Sequence, residues 1–238
     1  MSRRRIRAIF RKELGEYRRN GFIVLTMAII PLIFLIQPLI VTFGLPASAA
    51  PDLAHGHLLL YMLGIPALVP ASVAAYAVVG ERQQGTLEPV LTTPIRPEEL
   101  LLGKLLAALV PSVAIAYAVY AIFLACIGLF ADPAVTSGLI RGPDLLAQLV
   151  FTPLLAAWSI WVGIAISVRS SDFRVAQQLS MLAGLPAALL AALVAFDVIH
   201  ATLGLALGLG AALLVLDGLG WRVASASFDR ERLITGTR

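Results

Sequence analysis

The sequence predicts an all-α integral membrane fold. It reads as a bundle of six transmembrane helices, led by an amphipathic interfacial helix and carrying one short helix in a cytoplasmic loop. Three observations predict it. Of the 238 residues, 59% are hydrophobic and 13% are charged, with a mean hydropathy of +0.90, whereas soluble domains carry about a quarter charged residues. Six apolar runs are each long enough to cross a hydrocarbon layer of about 30 Å as a helix. The basic residues, finally, fall on alternate loops.

The runs cover approximately residues 22–44, 58–80, 103–130, 145–168, 175–196 and 201–221. Lipid offers the backbone no hydrogen-bonding partner, so runs of this length must be helical, and the apolar/polar alternation of a membrane barrel is missing. Residues 1–238 read as one membrane domain, with 1–20 as the interfacial helix, 81–102 as the longest cytoplasmic connection and 222–238 as a tail. Seven of the fourteen prolines lie inside the runs (Pro31, Pro38, Pro66, Pro70, Pro111, Pro153, Pro186), where each removes a donor and invites a kink.

Orientation follows from Lys and Arg. Seventeen of the eighteen lie in the N-terminal segment, the second and fourth loops and the tail; the remaining one, Arg141, is in the third loop. The positive-inside rule then places both termini in the cytoplasm of a multi-pass plasma-membrane protein. The basic head, apolar run and Ala47-Ser48-Ala49 imitate a secretory signal, but that run exceeds the 7 to 15 residues typical of a signal core. Within the head, Ile6, Ile9, Phe10, Leu14 and Tyr17 recur at helical spacing among Arg5, Lys12 and other charges. This pattern predicts a helix along the inner membrane surface, contacting lipid.

Several functions are disfavoured by what the chain lacks. Its basic residues are not interleaved with aromatics on one surface, so no nucleic-acid partner is expected. One cysteine, Cys126, provides neither a disulfide nor a thiolate metal cluster. No phosphate-binding Gly-x-x-x-x-Gly-Lys-Ser/Thr occurs, since Gly80 to Gly85 is followed by Thr86. The chain is therefore expected to hold neither ATP nor Mg itself and to catalyse nothing. An acidic relay at mid-membrane, which a proton- or sodium-driven carrier would need, is also missing; Asp217 is the one clear charge in a span, and a structural pairing with a nearby arginine or a subunit contact is expected for it. His55-Gly56-His57 with Asp52 has donors of the right type for a metal, but two imidazoles without a defined third ligand make a weak site. All three histidines, His200 included, are expected to be solvated.

The second cytoplasmic connection is punctuated. Gly85 permits a turn, and Thr86 can cap a short helix from about Leu87 to Thr92. Glu88 falls at its positive end; Leu87, Val90 and Leu91 share a face, and Thr93 before Pro94 ends it. Pro97 suits the first position of the next helix, with Glu98 and Glu99 in its acidic first turn. Such a stiff element could pass on the motion of a docked partner, or it could simply be a well-capped surface loop.

From Glu81 to Lys104 the loop closely resembles that of ABC-2 type permeases: a Glu-Arg pair at Glu81 and Arg82, Gly85-Thr86-Leu87-Glu88, Thr93-Pro94, then Glu99-Leu100 with Gly103-Lys104. The tail from Phe228 to Gly236 is also similar. The resemblance implies the membrane subunit of an ATP-binding-cassette transporter, usually an exporter. Two permease subunits would form the pathway, and separate cytoplasmic ATPase subunits would bind ATP and Mg. The stretch Gly85 to Thr93 would then be the coupling helix, with Leu91 on its apolar face and Glu81, Arg82 and Glu88 fixing its docking, and the second and fifth spans would face the cavity. A non-transporting membrane scaffold that docks an ATPase through the same loop is the alternative.

Small residues mark possible close helix contacts. Ala183, Ala187, Ala191 and Ala195 make a four-residue ladder, and Gly204 with Gly208 makes a Gly-x-x-x-Gly. Contacts within one subunit and between two remain equally open on this spacing.

Overall fold

The computed structural model describes residues 2–44, 57–85 and 95–227. Helix α1 (Arg3–Arg19) is separated from α2 (Gly21–Gly44) by one residue, Asn20. The Asn20 carboxamide oxygen accepts from the backbone N–H groups of Phe22 and Ile23 at 3.1 and 3.3 Å, capping the first membrane helix as the chain turns into it. The second span is a broken rod: a 3₁₀ segment (Leu58–Leu63), α3 (Gly64–Ala74) and α4 (Tyr76–Gln83). Then follow α5 (Pro97–Phe130), α6 (Pro133–Leu139), α7 (Gly142–Arg169), α8 (Phe173–Ala195) and α9 (Leu203–Ser227), with no strand among the described residues. Six helices are long and apolar enough to cross a membrane, the broken rod counting as one.

Helix α5 starts at Pro97, with Glu98 and Glu99 in its first turn and Arg96 as its N-cap. At 1.5 Å per residue its 34 residues reach about 51 Å, well beyond the roughly 30 Å of hydrocarbon. Its first turns therefore project beyond the membrane core. The connection before it is shorter than residues 81–102, because α4 runs on to Gln83. Gly85 ends that helix with φ +67°, a left-handed turn that favours glycine. The stretch holding Thr86, Leu87, Glu88, Leu91, Thr93 and Pro94 lies outside the described residues, as do His55 and the tail from Phe228. Helix α6 was not expected; its signal is Asp132, which accepts from the Ala134 N–H at 2.8 Å, followed by Pro133 at the first helical position.

The second span lies at the centre. Of its most apolar window 89% is buried, against at most 44% for any other span. Small residues make this possible. Ala67, Ala71 and Ala75 face Ser159, Gly163 and Ser167 of α7 in register: Ser159 Oγ donates to the Ala67 carbonyl at 2.7 Å, Ser167 Oγ to that of Ala75 at 2.6 Å. Between them, a Cβ on Gly163 would sit 2.6 Å from the Ala71 carbonyl oxygen. Gly184 of α8 closes from another side, its Cβ position 2.6 Å from the Ala67 carbonyl oxygen. The break at Ala75 is mended by the same α7 ladder, because Ser167 Oγ also accepts from Val78 N and Val79 N at 3.0 Å each. Backbone groups freed inside a membrane must find such partners.

Among the described residues the second span is thus enclosed within the chain from Leu58 to Glu81, with Tyr61 and Leu68 half-buried. The packing ladders differ from those read in the sequence. Ala191 and Ala195 are buried, but Ala187 is half-buried and Ala183 exposed. A Cβ on Gly208 would meet nothing within 4 Å and one on Gly204 only Thr202 Oγ1 at 4.0 Å, so no helix among the described residues packs on this pair. Helix α9 instead approaches α7 through Gly220, whose Cβ would lie 2.6 Å from Trp161 Cγ, beside the edge-to-face pair Trp161–Trp221 at 5.8 Å. The apolar outer faces of α2 (Leu32, Ile33, Ile36, Ile40) and α9 (Leu207, Leu214, Leu219) are exposed, as suits side chains that meet lipid.

Candidate functional site

Helix α1 buries Ile9, Glu13 and Tyr17, spaced four residues apart and therefore on one face. That face is turned to protein. Ile9 packs on Gly103 of α5, where a Cβ would lie 2.5 Å from Ile9 Cγ2, so only glycine lets the two helices approach this closely. Ile9, Tyr17, Leu100 and Leu101 belong to one apolar cluster, with Phe10 packed against it. Of the residues read as membrane contacts, Ile9 is thus core and Ile6 and Leu14 are half-buried. Arg5 pairs with Glu99 at 3.4 Å, and Lys12 joins the ion cluster below. The apolar stripe of α1 covers α5, and its exposed side carries Arg3, Arg4, Arg7, Arg11, Arg18 and Arg19.

Beneath α1 lies a buried ion cluster. The Lys104 ammonium donates to Glu13 Oε1 at 2.8 Å and the Ala77 carbonyl at 2.6 Å, and it stands 2.9 Å from Glu81 Oε2. Two hydrogen-bond acceptors and the Glu81 carboxylate thus surround the ammonium. Lys12 closes the other side, donating to Glu81 Oε1 and lying 3.2 Å from Glu16. Glu13, Glu16 and Glu81 bring carboxylate oxygens within 4.8 Å of one another, an arrangement that would suit a cation; the two ammonium groups supply that charge. Burial acts to lower the Lys12 pKa, but the carboxylates of Glu13, Glu81 and Glu16 outweigh it and hold the ammonium above its ordinary range. Burial first, and then the same carboxylates, pushes the Tyr17 phenol up.

A buried ion cluster gains little net stability over apolar packing, but removing one partner is costly because the other is left uncompensated. Its effect here is to fix position. Glu81 ends the second span, Lys104 lies in the projecting start of α5, and Glu13 sits on α1. Both stems of the loop are thus tied to the same helix. Glu99 adds a second tie, accepting from Ser2 N at 2.6 Å, from Arg5 and, in a capping box, from Arg96 N.

The structure therefore divides the loop residues read from the sequence. Glu81, Glu99, Gly103 and Lys104 come together and face inward. Arg82 does not: its guanidinium donates to the carbonyls of Ser170 and Val168 at 3.0 and 3.4 Å, covering the negative end of α7. Glu81 is 1% exposed and faces Lys12 and Lys104 within the chain. The reading of the sequence missed Glu13 and Glu16, and took Tyr17 only as part of the apolar stripe along the membrane surface. An acid placed four residues from Ile9 and four from Tyr17, on the apolar face of a basic helix, was the available signal.

The opposite end of the bundle brings a second correction. His57 is not solvated; its Nδ1 lies 2.7 Å from Asp144 Oδ1, with the two side chains 18% and 5% exposed. His200 is exposed and pairs with Asp197 at 3.0 Å. Asp217 Oδ1 is buried with no hydrogen-bond partner among the described residues.

Six apolar helices, a central broken span and charges gathered at one end define a multi-pass α-helical membrane protein built around a tied loop. Residues 7–217 match the family described as ABC-2 family transporter protein, and the chain belongs to that family. The class is that of a transporter's membrane component, distinct from an ATPase. No curated protein matches the chain.

Proposed function

We propose that the chain is the permease subunit of an ABC exporter, working as one of two membrane subunits and driven by separate ATPase chains that dock on the loop between Gln83 and Pro97. One observation carries this reading. Lys104, Glu81 and Glu13 lock both stems of that loop and α1 into one rigid unit, so a push on the loop reaches the second and third spans without being absorbed. The second span is enclosed by the rest of the bundle, and a displacement there is passed on to its neighbours. ATP and Mg are bound by the partner. Both termini lie in the cytoplasm of a plasma-membrane protein in this proposal, which puts the ion cluster on the cytoplasmic side. The test is co-purification with an ATPase, followed by transport with Glu88→Lys. Loss of ATP-dependent export at unchanged membrane abundance is expected. Export that survives the reversal would show that the loop is not the transmission, and would favour a scaffold role.

A further inference from the structure

Six arginines on α1 take no part in the ion cluster. Arg3, Arg4, Arg7, Arg11, Arg18 and Arg19 are all exposed, and no carboxylate among the described residues pairs with any of them. At 3.6 residues per turn they fall on one continuous arc opposite Ile9 and Glu13, with Ala8, Leu14 and Gly15 between them. No acid lies in that arc. Both acids of the helix are turned the other way, Glu13 to Lys104 and Lys12, Glu16 to Lys12. Charge on α1 is therefore sorted, with carboxylates inside and arginine alone on the outward face.

Depth locates that face. On α5 the exposed large apolar side chains begin at Val110, 50% exposed, and end at Phe130, 75% exposed. The twenty residues from one to the other rise about 30 Å, the thickness of the hydrocarbon. Gly103 and Lys104, on which α1 packs, come six to seven residues before Val110 and so lie about 9–10 Å outside that boundary. The headgroups add about 5–7 Å on each side, so α1 runs along their outer edge, within reach of an arginine side chain. Its far end is closer still. Arg19 precedes Phe22 by three residues, and Phe22 and Leu25 begin the lipid-facing side of α2 at 48% and 53% exposure.

An amphipathic helix ordinarily holds to a membrane by sinking its apolar face among the acyl chains. In this chain α5 occupies that face, and Ile9 and Tyr17 are 7% and 3% exposed. What is left for the membrane is charge. Guanidinium groups bind phosphate through paired hydrogen bonds, and a row of them is drawn to a surface that is itself anionic. An acidic protein would offer the same sign, but the depth of α1 and its one-residue link to a lipid-facing span put lipid phosphates beside this row.

We propose that the arginine face of α1 is a binding surface for anionic phospholipid headgroups, which it selects over zwitterionic ones. The contact is electrostatic and does not use the apolar stripe. That the leaflet is the cytoplasmic one rests on the topology proposed above; the preference for anionic lipid does not.

The test uses the full-length protein in phosphatidylcholine nanodiscs, with Cys126→Ser removing the single native thiol. Ala8→Cys, exposed within the arginine arc, carries a fluorophore. Quenching is compared for phosphatidylglycerol and phosphatidylcholine, each bearing a nitroxide at the top of one acyl chain. Phosphatidylglycerol is expected to quench about threefold more strongly at low salt. The difference should vanish at high salt, and also when Arg7→Gln, Arg11→Gln and Arg18→Gln are combined. Those three side chains make no hydrogen bond or ion pair among the described residues, so the thermal midpoint of the variant should match that of the parent. Should it fall, the salt titration of the parent decides alone. Equal quenching by the two lipids, or a preference that survives high salt or neutralisation, would overturn the proposal. Equal quenching together with loss of ATPase co-purification in the triple variant would assign the row to a protein surface instead. The discs carry the labelled lipid in both leaflets and contain no ATPase, so neither a reversed topology nor a failed coupling role would alter the lipid result.

Discussion

Lys104 and Glu13 are ninety-one positions apart in the chain and meet at 2.8 Å, both almost wholly buried. One belongs to the start of the third span and the other to α1, and the same ammonium also holds Glu81 at the end of the second span. The stems of the loop between Gln83 and Pro97 thus rise from an internal electrostatic knot.

Removing the ammonium leaves two buried carboxylates without their main counter-charge. Lys104→Met is expected to destabilise the protein by about 3–5 kcal/mol, seen as a lower thermal midpoint in detergent and reduced membrane abundance. Adding Glu13→Gln and Glu81→Gln should recover much of that loss, because no lone charge then remains. A Lys104→Met protein as stable as the parent would remove the knot from the account.

Gly103 and Ile9 give a steric counterpart. A side chain at 103 meets Ile9 at 2.5 Å, and overpacking of this kind typically costs about 1–3 kcal/mol. Gly103→Val should therefore loosen α1, measurable as faster proteolysis at its arginines. Ile9→Ala in the same chain should restore protection, and strict additivity of the two changes would mean that the helices do not touch there.

Ser167 serves three backbone groups at the break in the second span. Ser167→Ala leaves them buried without that partner, at about 1–3 kcal/mol for an unsatisfied group. Ser225→Ala, where the hydroxyl donates to the Arg222 carbonyl of its own helix in a solvent-exposed hydrogen bond, should change stability little. A comparable drop in thermal midpoint for both would argue against a special role for Ser167.

Lys12 and Tyr17 set a pH window for the docking of α1. Both have pKa values raised in the folded protein above their ordinary 10.5 and 10.0. Each therefore contributes stability that is fully present below about pH 10 and is lost as pH climbs through the raised values. A spin-label distance between positions 7 and 110 should hold steady from pH 7 to 9 and lengthen only in stronger alkali. Lengthening already at pH 8 would contradict this assignment.

Much of the chain could be read in advance because the signals are local. Pro97 with Glu98 and Glu99 marked a helix start by the dipole and the missing donor, and Gly85 marked a turn by its freedom at positive φ. Other features were within reach but not taken. Ser159, Gly163 and Ser167 show the small-residue spacing that Ala183 to Ala195 also shows, yet spacing alone cannot say which ladder meets a neighbour. His57 was read as solvated for a similar reason, since nothing near it in sequence indicates Asp144.

The sequence by itself determined the membrane class, the six spans, their approximate limits and the family-like loop, because hydropathy, helical period and capping act within a few residues. Only the tertiary structure decided that the second span is the enclosed one, that the apolar face of α1 covers α5, and that Glu81 turns inward to Lys104. Burial and charge pairing belong to contacts between distant segments. An acid or a glycine acquires its role only when a particular partner is brought against it.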